Sequence, residues 1–191
     1  MVGYFEAMNN SGYIIYYKSR RNFIMAKSVA VLVTNLVEDV EYTEPVEALK
    51  SAGHKVTTIS FEKGTVEGKH GTQINIDKSI DEVSPQDFDA LFIPGGFSPD
   101  QLRADQRFVE FTKFFLATNK LTASICHGPQ LMIQTGLVQG RTMTAYLTVQ
   151  PDLYYAGARI EDKAVVIDGN LITSREPKDI PAFNDAFLSA L

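Results

Sequence analysis

Two unbroken apolar runs constrain the fold of this chain more than any other feature. Val29-Ala30-Val31-Leu32-Val33 and Ala90-Leu91-Phe92-Ile93 lack the alternation of a strand with one wet face. Such runs mark strands covered on both sides, as in a parallel sheet. Parallel strands need a crossover between them, usually a helix, and the sequence supplies candidates. Tyr42 to Ala52 places Val46 and Leu49 at helical spacing and stops at Gly53. Lys55 to Phe61 reads as the next strand. Phe108 to Ala117 carries Phe108, Phe111, Phe114 and Phe115 on one side and polar residues on the other. Leu121 to Ile125 reads as a strand, Pro129 to Thr135 as a helix closed by Gly136, and Ile180 to Leu191 as a closing helix. Gly64 to Ile76 fits a small hairpin insertion. Asp168-Gly169-Asn170 suits a tight turn joining Ala164–Ile167 to Leu171–Thr173. The sum is an α/β protein with a mostly parallel central sheet and helices on both faces.

A length of 191 residues suits one domain. Met1 to Ile24 is rich in Tyr, Asn and Ser without a clear period. It is expected to be an N-terminal extension of unknown role, with the domain spanning residues 25–191. The extension lacks the apolar core of a signal peptide, and no stretch has the apolar length of a membrane helix. A net charge of -5 with no basic run argues against nucleic acid as a partner. A single cysteine excludes an internal disulfide and fits a reducing compartment, so a cytoplasmic location is expected. No Gly-x-Gly-x-x-Gly follows the first strand, and no Cys/His cluster has zinc spacing. Neither a cofactor nor a metal is expected.

In folds of this kind ligands sit beyond the carboxyl ends of the strands. Three segments leave such ends: Asn35 to Glu41, Pro94 to Asp100, and Cys126 to Pro129. The last reads as a strand delivering Cys126 to a sharp turn, with Gly128 relieving crowding and Pro129 at the first helical position. This is the layout of a nucleophile elbow, with cysteine in place of serine. Backbone amides at a helix start favour negative charge, so the thiol is expected to titrate below its free value. His127 is a candidate general base. The amides of Gly96 and His127 could form an oxyanion hole. The first loop carries Glu38, Asp39 and Glu41, any of which could hydrogen-bond the sulfur or serve the helix N-terminus. His54, after a helix-ending glycine, is expected to be solvated. His70, in the insertion, could line a cleft.

The string Ala123-Ser-Ile-Cys-His-Gly-Pro-Gln130 resembles the nucleophile motif of the PfpI family, within the superfamily of the parkinsonism-associated deglycase and the class I glutamine amidotransferases. Glu38-Asp39-Val40-Glu41, Gly68-Lys69-His70-Gly71, Pro94-Gly95-Gly96, and Asp168-Gly169-Asn170 with Thr173-Ser174-Arg175 agree with it. The resemblance implies a flavodoxin-like three-layer sandwich and a homo-oligomer, dimer or hexamer, with the site near a subunit interface. It makes Cys126 the nucleophile, His127 its partner, and Glu38 the acid that contacts the thiol. Asp100 matches a third acid donated by a neighbouring subunit, commonly Glu in the family. Tyr146 matches a tyrosine near the site. The implied activity is that of a stress-related hydrolase acting on small aldehydes or on glycated amines and thiols. The alternatives are an intracellular peptidase or amidase taking a peptide substrate, and a non-enzymatic redox sensor or chaperone-like protein.

Overall fold

The computed structural model describes the strands Tyr4–Met8 and Ile14–Lys18 and residues 25–191. Its centre is a seven-stranded sheet in the order Val165–Asp168, Leu171–Ser174, Leu121–Ile125, Ala90–Ile93, Ser28–Leu32, Lys55–Ser60, Lys78–Ser79. Every neighbouring pair is parallel except the Val165–Asp168 edge, which returns antiparallel through the tight turn at Gly169. The expected α/β architecture with a mostly parallel sheet is the one observed.

The apolar runs behave as strands buried on both faces. Val29 through Val33 and Ala90 through Ile93 are wholly buried. Successive side chains leave a strand on opposite faces, so each run feeds two cores. Ala30, Leu32, Leu91 and Ile93 pack with Phe108, Phe115 and Leu131 on one side of the sheet. Val29, Val31, Ala90 and Phe92 pack with Leu49, Phe183 and Phe187 on the other. Each fully buried Leu or Phe contributes about 1.5–3 kcal/mol relative to an exposed one.

Helices Asp39–Ser51, Gln106–Ala117, Pro129–Gln134 and Ile180–Ala190 fall where the periodicity puts them. The insertion is the antiparallel pair Gly64–Glu67 and Gln73–Ile76. Two short helices, Ser98–Leu102 and Gln150–Tyr155, have too few turns to show a period and do not emerge from the sequence. The segment before residue 25 shows no clear period in sequence, yet Tyr4–Met8 pairs antiparallel with Ile14–Lys18. His54 is also not solvated: it is 6 % exposed, and its Nδ1 accepts the Lys27 N–H at 3.2 Å. Among the described residues no helix is long and apolar enough to cross a membrane.

Candidate active site

The carboxyl ends of four neighbouring strands converge on one cavity of about 700 Å³. Strand Leu121–Ile125 ends at Cys126, whose N–H is held by the Ser174 carbonyl at 3.0 Å. Cys126 then turns with φ 62°, a left-handed conformation that a non-glycine residue adopts only when its surroundings force it. The turn brings the next side chain back over the sulfur. His127 Nδ1 lies 3.2 Å from Cys126 Sγ, a contact that adjacency in sequence did not guarantee. The His127 ring stacks on Tyr146 with centroids 5.1 Å apart. Burial lowers the basicity of that imidazole; the nearby Lys69 lowers it further and Asp152 opposes both. The ring is therefore neutral near pH 7 and able to accept a proton.

The next strand supplies the amides. After Ala90–Ile93 the chain turns through Pro94-Gly95-Gly96, and the amides of Gly96 and His127 lie near enough to the Cys126 sulfur to favour its charged form. Gly96 has φ +72°, and a Cβ there would run into the backbone of Leu36, Val37 and Glu38. Only glycine lets the loop lie this close to the first strand's exit, where the Phe97 N–H bonds the Leu36 carbonyl at 2.8 Å.

The acid against the thiol is Glu41, not Glu38. Helix Asp39–Ser51 starts directly after Glu38, so residues 38 and 41 lie one turn apart on the same side. Glu41 points inward and is fully buried. Its Oε2 accepts the Gly95 N–H at 3.1 Å, and the carboxyl touches the Cys126 thiol. Its Oε1 has no conventional hydrogen-bond partner among the described residues. Burial, opposed by the thiol contact, pushes the Glu41 carboxyl up to about 7. Glu38 stays at the cavity mouth, where Lys69 Nζ and His70 Nε2 each lie 3.1 Å from one of its oxygens.

Burial and the facing Glu41 also raise the Cys126 thiol, against the pull of the Gly96 and His127 amides. The helix after Cys126 is only six residues long, so the expected simple depression of the thiol does not follow from its N-terminus. Thiol and carboxyl instead share protons as a pair. When Glu41 holds the proton, the charge can sit on sulfur facing two amides.

The remaining expected residues are partly assembled. Tyr146 lines the cavity. His70 is 63 % exposed and engages Glu38 instead of lining the cleft. Asp100 lies outside the cavity of its own chain, with its carboxylate 2.6 Å from Arg103. Phe97 also lines the cavity, and Leu36, Lys69, Glu176 and Pro177, which do not emerge from the sequence, complete it. Lys69 stands in the Gly68-Lys69-His70-Gly71 motif, a signal that could have found it; Glu176 and Pro177 follow a fourth strand end, that of Leu171–Ser174. Ligand atoms of Glu38, Asp39 and His70 lie within 4.8 Å of one another. Each acid is already engaged, however: Asp39 accepts the His70 and Thr72 amides at 2.8 and 2.9 Å, and Glu38 holds its two cations.

A sequence model of the DJ-1/PfpI family matches residues 27–190. The chain belongs to the DJ-1/PfpI family. Among its DJ-1/PfpI relatives it is 54 % identical to General stress protein 18 of Bacillus subtilis over 170 residues, covering 87 % of this chain and 99 % of that one. It is 51 % identical to "Putative cysteine protease YraA" of the same organism and 49 % identical to Protein/nucleic acid deglycase 2 of Escherichia coli, at the same coverage. Of solved DJ-1/PfpI structures, Drosophila melanogaster DJ-1beta superposes with a TM-score of 0.82 at 29 % identity, covering 87 % of this chain and 91 % of that one. A two-domain protein of Anabaena variabilis, with a DJ-1/ThiJ/PfpI-like and a ferritin-like domain, gives 0.83 at 39 % identity; 85 % of this chain covers 47 % of it.

Proposed function

We propose that this DJ-1/PfpI chain is a stress-related hydrolase that uses Cys126 as nucleophile on small aldehydes or on glycated amines and thiols. The observation that carries the reading is the Cys126 sulfur at the cavity floor, 3.2 Å from His127 Nδ1 and faced by the Gly96 and His127 amides. With its proton on Glu41 or His127, the sulfur adds to a carbonyl carbon. A carbon–sulfur bond forms, and the carbonyl electron pair moves to oxygen, where the two amides receive it. For a 2-oxoaldehyde, shift of the aldehyde hydrogen to the neighbouring carbon as a proton leaves a 2-hydroxyacyl thioester. Water then attacks that thioester, releasing a 2-hydroxy carboxylate and restoring the thiol. The name of the deglycase among the relatives supports this substrate class, and that of the stress protein supports the stress-related role.

A second reading, an intracellular peptidase using the same cysteine, is favoured by the name of YraA. The deciding experiment assays purified protein and Cys126→Ser side by side. Methylglyoxal consumption that vanishes in the variant, with no cleavage of peptide amides, upholds the first reading; the reverse pattern upholds the second.

We infer further that the protein works in the cytoplasm, on residues 25–191, and as a dimer or hexamer. Asp100 would approach His127 of the partner subunit and orient its ring. The exposed Phe97, at 54 %, beside the cavity mouth supplies apolar surface for such a contact.

A further inference from the structure

The Thr173-Ser174-Arg175 string leads to a polar network that the proposed chemistry leaves unused. Arg175 follows strand Leu171–Ser174, the strand that holds the Cys126 N–H. Its guanidinium forks. Nε and Nη2 meet the two Asp179 oxygens at 2.9 and 3.3 Å, and Nη1 meets Asp162 Oδ1 at 2.9 Å. The Asp179 arm is buried, with Asp179 6 % exposed, whereas the Asp162 arm lies at the surface. The same Asp162 oxygen accepts Gln150 Nε2 at 3.2 Å, and that nitrogen also donates to the Ala145 carbonyl at 3.1 Å. Ala145 precedes Tyr146. The Tyr146 N–H donates to the Cys126 carbonyl at 3.0 Å, and the Tyr146 ring covers His127 with its plane tilted by only 26°. In the other direction Arg175 runs directly into Glu176 and Pro177, which wall the cavity. One guanidinium thus ties together two walls that are distant in sequence.

We propose that Arg175 is a positioning residue: through Asp162 and Gln150 it holds the Tyr146 segment over His127, and through Asp179 it fixes the Glu176–Pro177 wall, so the imidazole keeps its reach to Cys126. The proposal rests on the Cys126–His127 reading above. Its physical basis is the rigid donor fork of arginine, which fixes two carboxylates at once; a lysine carries the charge without the geometry. The groups acting on His127 are Lys69, Asp152 and the Cys126 thiol. Asp152 shares the helix Gln150–Tyr155 with Gln150, so loosening the network moves this smaller influence along with the larger one, the exclusion of water from the ring. Since burial is the largest influence on His127, a loosened Tyr146 segment lets its titration rise toward the ordinary value.

The chain has three histidines, which makes the test direct. Proton NMR titration of their rings is run on the full chain and on Arg175→Lys, Arg175→Met and Asp162→Ala, with each signal assigned by a His→Gln variant. His127 is expected to titrate higher in all three, furthest in Arg175→Met. Methylglyoxal turnover is expected to lose roughly tenfold or more in kcat with little change in KM, as for misplaced reacting groups. Should Arg175→Met fail to fold, Asp162→Ala carries the test, because that side chain is 63 % exposed. Folded variants whose His127 titrates as in the parent overturn the proposal. An inactive parent whose His127 still responds to these substitutions overturns the functional reading instead and leaves the network standing.

Discussion

The Glu41 carboxyl reaches the Cys126 thiol because residue 95 between them has no side chain. A Cβ on Gly95 would fall on Glu41 Oε2, lie 2.6 Å from Cys126 Cβ and 3.0 Å from the His127 nitrogen. All three neighbours belong to the proposed reaction centre, and two of them are fixed by backbone.

Gly95→Ala is therefore expected to fold with a loss of about 1–3 kcal/mol, the usual scale of overpacking, and to damage the site more than the fold. Iodoacetamide labelling of Cys126 should slow markedly while circular dichroism stays that of the parent. A variant that labels at the parental rate would show that the carboxyl and thiol do not need this close approach.

The buried carboxyl also ties stability to pH. Glu41 has its ordinary value of 4.5 raised to about 7 in the folded chain. The folded state thus binds that proton more tightly than the unfolded state. Its contribution is fully present below about 4.5 and is lost as pH rises through about 7. At about 1.4 kcal/mol per unit, the loss is roughly 3 kcal/mol. Glu41→Gln has no such proton to lose. In urea unfolding, the stability of Glu41→Gln relative to the parent should rise by that amount between about pH 4.5 and about pH 8. Parallel curves for the two proteins would show that Glu41 titrates normally.

The two acids of the first loop should separate in reactivity. Cys126 labelling in the parent is expected to rise in two steps, the lower one belonging to the proton shared with Glu41. Glu41→Gln removes that shared proton and leaves one step. Glu38→Gln keeps both steps, because its carboxylate bonds Lys69 and His70 and not the sulfur. If Glu38→Gln erases the lower step and Glu41→Gln does not, the assignment of the thiol's neighbour is reversed.

Subunit mixing tests the proposed sharing of the site. Asp100→Ala and Cys126→Ser chains are each expected to be inactive, and their mixture to recover part of the turnover. Hybrid interfaces would pair an intact Asp100 with an intact Cys126. Exchange of subunits verified by mass, without recovered turnover, would confine the site to one chain and leave Asp100 with its Arg103 partner.

How much of this was legible in the sequence follows from the range of each interaction. Strands such as Val29–Val33 declared themselves because burial on both faces demands an apolar residue at every position. The Cys126 elbow was equally plain, since a strand, a glycine and a helix-starting proline are local features. What the linear pattern left open is which acid meets the thiol. Glu38 and Glu41 share a helix side, and the choice turns on the path of Pro94-Gly95-Gly96 from a strand more than fifty residues away. The thiol's titration departs from the sequence expectation for a related reason: a helix N-terminus is visible in sequence, whereas the burial of a carboxyl against the sulfur is not. His54 and the fork of Arg175 belong to the same class. Their partners Lys27 and Asp162 carry no mark of contact until the sheet brings them together, whereas Asp179 lies only four residues from Arg175 along the chain. Sequence by itself determined the elements and the candidate nucleophile, because these depend on neighbours along the chain. Tertiary structure decided protonation, pairing and the shape of the cavity, because these depend on what is excluded from water and what is left facing it.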